Sequence, residues 1–214
     1  MSATEVEPEA TAALFGQQIE VARAFTADLA LRGEALGLIG PLEAARIWTR
    51  HVVNSVLLAP LLREGATVAD VGSGAGLPGL VLAIARPDVS FTLIEPMERR
   101  VEWLNDQTRS LGLSNVIVTR ARAQDCALSV SVDQVTARAV SALTSLLPVC
   151  VPLVVPGGEL VLMKGAGVTR EIEAAAKTIR RLRLHDVRVE TLGEGIVDDP
   201  TRVFRARVDR GPAR

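Results

Sequence analysis

Residues 68–85, VADVGSGAGLPGLVLAIA, set Gly72, Gly74, Gly76 and Gly79 between an apolar run that contains Asp70 and a second apolar run. Glycines at that density let a chain turn sharply out of a buried strand into a helix. They also let its backbone approach a ligand without Cβ atoms in the way. In an open α/β sheet such a turn lies at the carboxyl end of the first strand, where ligands bind. The rest of the chain agrees with that demand. From Gly65 the hydrophobic pattern alternates between strand and helix periods, with strands expected over 67–72, 89–96, 115–122, 133–140 and 157–165. The intervening helices fall over 77–86, 97–113 and 169–183, and a fourth, over 141–154, is interrupted or ended by prolines. Two alternating segments, 185–192 and 201–208, joined by GEGIVDDP, read as a closing hairpin. The series predicts a doubly wound, mostly parallel sheet with helices on both faces.

Ahead of this unit, apolar residues recur at helical spacing from about Ala12 to Leu31. A second helix is expected from Pro41 to about Leu62, with Leu42, Ala45, Trp48, Val52 and Val56 as its apolar stripe. Arg46, Arg50 and Asn54 follow one another on another face of that helix, and the acidic first eleven residues read as frayed. The division expected is a helical extension over 1–63 and a ligand-binding domain over 64–214. With 48% apolar and 23% charged residues in 214, a real core can form. No uninterrupted apolar run is long enough to span a membrane, and the amino-terminal stretch lacks the basic start of a signal peptide, so a soluble cytoplasmic protein is expected. Cys126 and Cys150 are isolated and read as small buried hydrophobes. With only His51 and His185 besides, no metal site is expected.

The glycine loop carries two overlapping fingerprints. From Gly74 it reads G-x-G-x-x-G, a dinucleotide spacing; from Gly72 it reads G-x-G-x-G after an acid, the spacing of an S-adenosyl-L-methionine site. Asp70 favours the second frame, because its charge would repel a pyrophosphate but pair with the methionyl ammonium, and Pro78 interrupts the first. Glu95, at the end of the second strand, could take ribose hydroxyls of either cofactor. The terminal hairpin weighs more. It inserts an antiparallel strand into a parallel sheet, an arrangement of class I methyltransferases and not of the six-stranded dinucleotide fold.

Five segments, RHVVNSV (50–56), the glycine loop with its L-P-G ending, LIEPMERRVEWLN (93–105), VTARAVSAL (135–143) and GGELVLMKG (157–165), together resemble the glucose-inhibited division protein B family. These are bacterial methyltransferases of guanine N7 in small-subunit (16S) ribosomal RNA. The resemblance covers nearly the whole chain from the second amino-terminal helix onward. It implies a Rossmann-like, seven-stranded mixed sheet with helices on both faces and a small helical extension. It also implies S-adenosyl-L-methionine bound at Gly72, Gly74, Gly76 and Leu77, with Glu95 at the ribose, Ala123 and Gln124 edging the adenine, and Arg138 facing both cofactor and substrate. This chain has Asn54 where the family usually has Asp, and Gln124 where it commonly has Glu, which leaves Asp125 as a possible substitute acid.

Guanine N7 already presents a lone pair, so no general base is expected, and His51 is given a packing, capping or RNA-contact role and no acid–base role. Arg50 and Lys164 are candidate phosphate ligands beside His51, and Trp48 and Trp103 are expected in the core. The net charge of −1 excludes a globally basic nucleic-acid binder, although all basic residues but Lys164 and Lys177 are arginine. The expected partner is small-subunit ribosomal RNA or the 30S particle, met by a monomer without metal or membrane. Two other functions are compatible with these residues, a class I methyltransferase of a small molecule and an S-adenosylmethionine-binding RNA scaffold without turnover.

Overall fold

The structure, a computed structural model, describes residues 4–126 and 130–209. Seven strands, β1 (Thr67–Val71), β2 (Ser90–Ile94), β3 (Val116–Thr119), β4 (Val132–Arg138), β5 (Val154–Lys164), β6 (Leu184–Leu192) and β7 (Thr201–Val208), form one sheet in the order β3-β2-β1-β4-β5-β7-β6. Neighbours from β3 to β5 run parallel, and β7 enters antiparallel beside β5, with β6 antiparallel at the edge. The central strands are buried on both faces, which accounts for their unbroken apolar runs.

The helices are α1 (Ala10–Phe15), α2 (Ile19–Arg32), α3 (Asn54–Val56), α4 (Gly79–Ala85), α5 (Glu98–Ser110), α6 (Leu143–Cys150) and α7 (Val168–Arg181). α4 is short and almost wholly apolar because it lies between the sheet and the amino-terminal helices, buried from Gly79 to Ile84. One core cluster joins Phe15, Phe25, Leu29 and Trp48 of the extension to Leu80, Phe91 and Trp103, so the extension completes one face of the sheet. A second cluster, built on Leu143, Leu147, Ala175 and Phe204, fills the other face. Cys126 and Cys150 are buried there, and both tryptophans are in the first core.

The amino-terminal region differs from the sequence expectation in two respects. The helix expected from Pro41 is broken: Pro41 lies in a turn, Leu42 has φ +67°, and a 3-10 turn (Glu43–Arg46), a π-helical segment (Ile47–Val53), α3 and a second 3-10 turn (Ala59–Leu61) follow in succession. Ile47, Trp48, Val52 and Val53 are all buried, and widening the helix lets this set face the core together. The acidic start, of which residues 1–3 lie outside the described residues, is docked where fraying was expected. Glu5 accepts hydrogen bonds from the amides of Trp48 (2.8 Å) and Thr49 (3.1 Å) and from the Thr49 hydroxyl (2.7 Å), capping the π segment, while Glu7 pairs with Arg23 at 2.7 Å.

Candidate active site

The glycine loop leaves β1 at Gly72, whose φ of +71° is a left-handed conformation that excludes most side chains. The amides of Gly72 and Ser73 donate to the Ile94 carbonyl at 2.9 and 3.2 Å, tying the loop to the end of β2. Glu95, buried one residue beyond, accepts the Gly74 amide on Oε2 (3.0 Å) and the Met97 amide on Oε1 (2.9 Å), so a carboxylate is locked against the inner wall of the loop. From behind, the Trp103 indole donates to the Ala75 carbonyl at 3.0 Å.

Asp70 lies elsewhere than the sequence reading expects. It is fully buried beneath the loop, outside the cleft wall, where Oδ2 accepts the Gly79 amide at 3.1 Å and Oδ1 has no hydrogen-bond partner. A strand residue two positions before the turn faces the helix packed on the sheet rather than the ligand edge. Burial pushes its carboxyl up to about 7, with the Ser73 hydroxyl and the Gly79 amide pulling it back and the charge of Glu95 adding to the rise. A Cβ on Gly79 would come within 2.5 Å of Asp70 Oδ2 and of Leu93, so Gly79 marks the close contact of helix and strand that the dinucleotide frame also demands. The fingerprint spacing alone therefore could not discriminate between cofactors.

The loop forms one wall of a cleft of about 370 Å³, with Gly72, Ser73, Gly74, Ala75 and Leu77 on it. Opposite stand Leu38, Ile39, Gly40, Glu43, Arg50 and His51 of the extension, and Arg100, Arg138 and Ala139 complete the lining. Gly76, Glu95, Ala123 and Gln124 do not line it. Gly76 is spent on the turn, where a Cβ would collide with Leu80, and Ala123 to Cys126 form a 3-10 turn beyond β3, with Gln124 and Asp125 exposed.

Arg138 ends β4 and reaches across to the π segment. Its Nη2 donates to the Arg50 carbonyl (2.9 Å) and to His51 Nδ1 (3.0 Å), and its Nη1 to the His51 carbonyl and Ser55 Oγ, both at 3.3 Å. The π geometry makes this possible. The Asn54 amide turns to the carbonyls of Thr49 and His51, leaving the Arg50 carbonyl for the guanidinium and the Asn54 side chain. Because arginine can only donate, His51 Nδ1 is an acceptor, so its proton sits on Nε2 and is given to Glu43 Oε2 at 2.7 Å. Burial, then the charge of Arg138, lower the His51 pKa to about 4 against the opposing pull of Glu43. His51 is neutral, with both ring nitrogens bonded within the protein, and its edge lines the cleft. Burial, with the charge of Arg50, likewise lowers Arg138 to about 10, and it has no carboxylate in ion-pair contact among the described residues.

A second cleft of about 320 Å³ adjoins the first and shares Arg50, Arg138 and Ala139 with it. Its remaining walls come from Asn54, from Met163 to Ala166 after β5, from Glu171, and from Asp199 to Arg202 at the start of β7. Asn54 Oδ1 accepts the Thr201 hydroxyl at 2.8 Å, which fastens the extension to β7. Lys164 lines this cleft with its ammonium already engaged. Its ammonium donates to the Ser141 carbonyl (2.8 Å) and pairs with Glu171 (2.7 Å). Arg50 is half exposed, with Glu43 3.1 Å away. Ala139, at the junction of the clefts, has φ +54°, a strained conformation of the sort that collects at functional sites. Sequence reasoning missed Glu43, Arg100 and the walls at 38–40 and 199–202, which no local spacing marks.

Among the described residues, no helix is long and apolar enough to cross a membrane, and no cluster of His, Cys, Asp and Glu could hold a metal ion. The left-handed turn and the cleft in front of it fit S-adenosylmethionine. Solved structures agree on the fold. The chain superposes on TYW2 of M. jannaschii in complex with AdoMet with a TM-score of 0.60 at 17% identity, covering 77% of this chain and 78% of that one. It superposes on a SAM-dependent O-methyltransferase of Thermotoga maritima with a TM-score of 0.58 at 18% identity, covering 76% and 67%. The sheet is that of class I S-adenosylmethionine-dependent methyltransferases. Relatives named ribosomal RNA small subunit methyltransferase G are 65% identical over 95% of this chain and 96% of theirs in Clavibacter michiganensis subsp. michiganensis, and 61% identical over 95% and 97% in Leifsonia xyli subsp. xyli. A family model described as rRNA small subunit methyltransferase G matches residues 18–199, and the chain belongs to that family.

Proposed function

We propose that the protein transfers a methyl group from S-adenosylmethionine to N7 of a guanine in small-subunit ribosomal RNA. The observation that carries the reading is the meeting of two clefts at Arg138 and Ala139, one walled by the glycine loop and one by cationic side chains. The bound cofactor supplies an electrophilic methyl group. Gly72, Gly74 and Leu77 cradle it, Glu95 orients its ribose, and Asp70 and Trp103 support the loop from behind. Arg138 holds the π segment across the junction, so that the acceptor base enters against a fixed wall. Ala123 and Gln124 remain the proposed edge of the adenine, and Arg50 and Lys164 the proposed phosphate contacts.

Guanine N7 attacks with a lone pair it already owns, so positioning and desolvation do the catalytic work. The neutral His51 supports this reading, because both its ring nitrogens are committed within the protein and neither is offered to a substrate proton. The protein is further proposed to act as a cytoplasmic monomer, on free RNA or the 30S particle, with residues 1–63 serving as an appendage of the 64–214 unit.

The test is methyl transfer from labelled cofactor to unmethylated small-subunit RNA, to 30S particles and to small metabolites, followed by nucleoside analysis. Label in 7-methylguanosine is expected; label in a metabolite alone, or at another base atom, would overturn the reading. The single-turnover rate at saturating substrates should stay nearly flat from about pH 6 to 9. A tenfold rise per unit that vanishes in His51→Ala would mean that the target is deprotonated and is not N7.

A further inference from the structure

α7 is amphipathic. Val168 and Ala175 are buried in the second core with Ile172 and Ile179 packed against it, while Arg170, Lys177 and Arg181 are exposed on the outer side. Spaced i, i+7 and i+11, these three cations lie within about 40° of one another around the helix and span about 16 Å along it. None makes an ion pair among the described residues, and the exposed Glu173 on their flank pairs with neither Arg170 nor Lys177. Elsewhere Arg23, Arg32, Arg86, Arg188 and Arg205 each hold a carboxylate. In a chain of net charge −1, a row of three unpaired cations on one helix face is a local excess of positive charge.

The row begins at the site. Arg170 precedes Glu171, which lines the second cleft and is held there by Lys164. α7 then runs back along the sheet, carrying the cations away from the cleft mouth. We propose that Arg170, Lys177 and Arg181 form a docking rail for the phosphate backbone of the RNA whose nucleotide enters the second cleft, an inference that rests on the proposed RNA substrate. The cations contact phosphates and read no base, so they set affinity and register without choosing the target guanine.

The experiment compares the wild type with Arg170→Ala/Lys177→Ala/Arg181→Ala in direct binding to transcribed small-subunit ribosomal RNA across a salt series. Each phosphate contact contributes about 0.7–0.9 to the log–log salt slope, so the triple variant should lose roughly 2 from it and bind at least about 10-fold more weakly near 0.15 M salt. S-adenosylmethionine affinity and melting temperature should be unchanged, since all three side chains are exposed. Arg120→Ala, which removes a cation paired with Glu98, is the control and should leave the slope as it is. An unaltered slope and affinity in the triple variant, while the wild type binds and methylates the RNA, would overturn the rail and leave the proposed function standing. Wild-type RNA binding without methyl transfer would instead count against the proposed function, with the slopes still deciding the rail. Binding to phosphatidylserine vesicles that the triple variant loses, with RNA binding intact, would reassign the row to a membrane surface and overturn the proposal.

Discussion

His51 and Asp70 lie on opposite sides of the glycine loop and carry opposite proton linkages. His51 is held near pKa 4 when folded, against about 6.5 unfolded, so between those values the unfolded chain binds a proton the folded one refuses, and stability rises with pH. Asp70 is held near 7, against about 3.9 unfolded, so across that window the folded chain keeps a proton the unfolded one releases, and stability falls as pH rises. Each window is worth roughly 3–4 kcal/mol at about 1.36 kcal/mol per unit, and over pH 4–6.5 the two nearly cancel. Relative to wild type, Asp70→Asn should therefore gain stability and His51→Gln should lose it as pH rises from about 4.5 to 7 in urea unfolding. Profiles parallel to wild type in both variants would refute the assignment. At Arg138 the forked guanidinium serves four acceptors, which a single ammonium cannot match. Arg138→Lys should cost about 1–3 kcal/mol and weaken S-adenosylmethionine binding at least about 10-fold, read by denaturation and calorimetry.

The elements of the amino-terminal extension act on the site through one another. The strap at Glu5 caps the π segment, and that segment presents Arg50 and His51 to the cleft and their carbonyls to Arg138. Loss of the cap in Glu5→Ala should cost about 1–2 kcal/mol and raise KM for S-adenosylmethionine more than it lowers kcat. Glu5→Gln, which keeps acceptor oxygen, should recover part of both; steady-state kinetics that show kcat falling alone would exclude a role in shaping the cleft. At the strand–helix contact, Gly79→Ala would press a methyl group against Asp70 and Leu93 and should destabilise by about 1–3 kcal/mol, measured by thermal melting. The regular elements, such as α5, α7 and both strands of the hairpin, were legible in their periodicity to within a few residues. The π segment was not, because its phase depends on Arg138, 87 residues from His51 along the chain.

Across the whole molecule, the site lies between the loop edge of the sheet and an extension that shares a core with one of its faces. Binding across that seam should stabilise both parts together. At 100 times Kd, S-adenosylmethionine should add about 2.7 kcal/mol and raise the melting temperature by roughly 5–10 °C in a single transition, while NAD leaves it unchanged. A shift with NAD, or separate transitions for the extension and the sheet, would contradict the arrangement. The same seam explains the limits of the cleft's legibility. Gly72, Gly74 and Leu77 follow from a strand end and a turn, whereas Glu43 and Arg100 reach the cleft only through packing.

The sequence by itself determined the strand–loop–helix unit, the order of alternating elements, the closing hairpin and the family, because these rest on period, glycine placement and contiguous motifs. Only the tertiary structure decided that Asp70 lies beneath the loop, that His51 is a neutral link between Arg138 and Glu43, that Lys164 is occupied by Glu171, and that the acidic start is docked. The physical reason is common to all four. The protonation state and availability of a polar side chain depend on its burial and on partners distant in sequence, and a chain's local pattern carries no record of either.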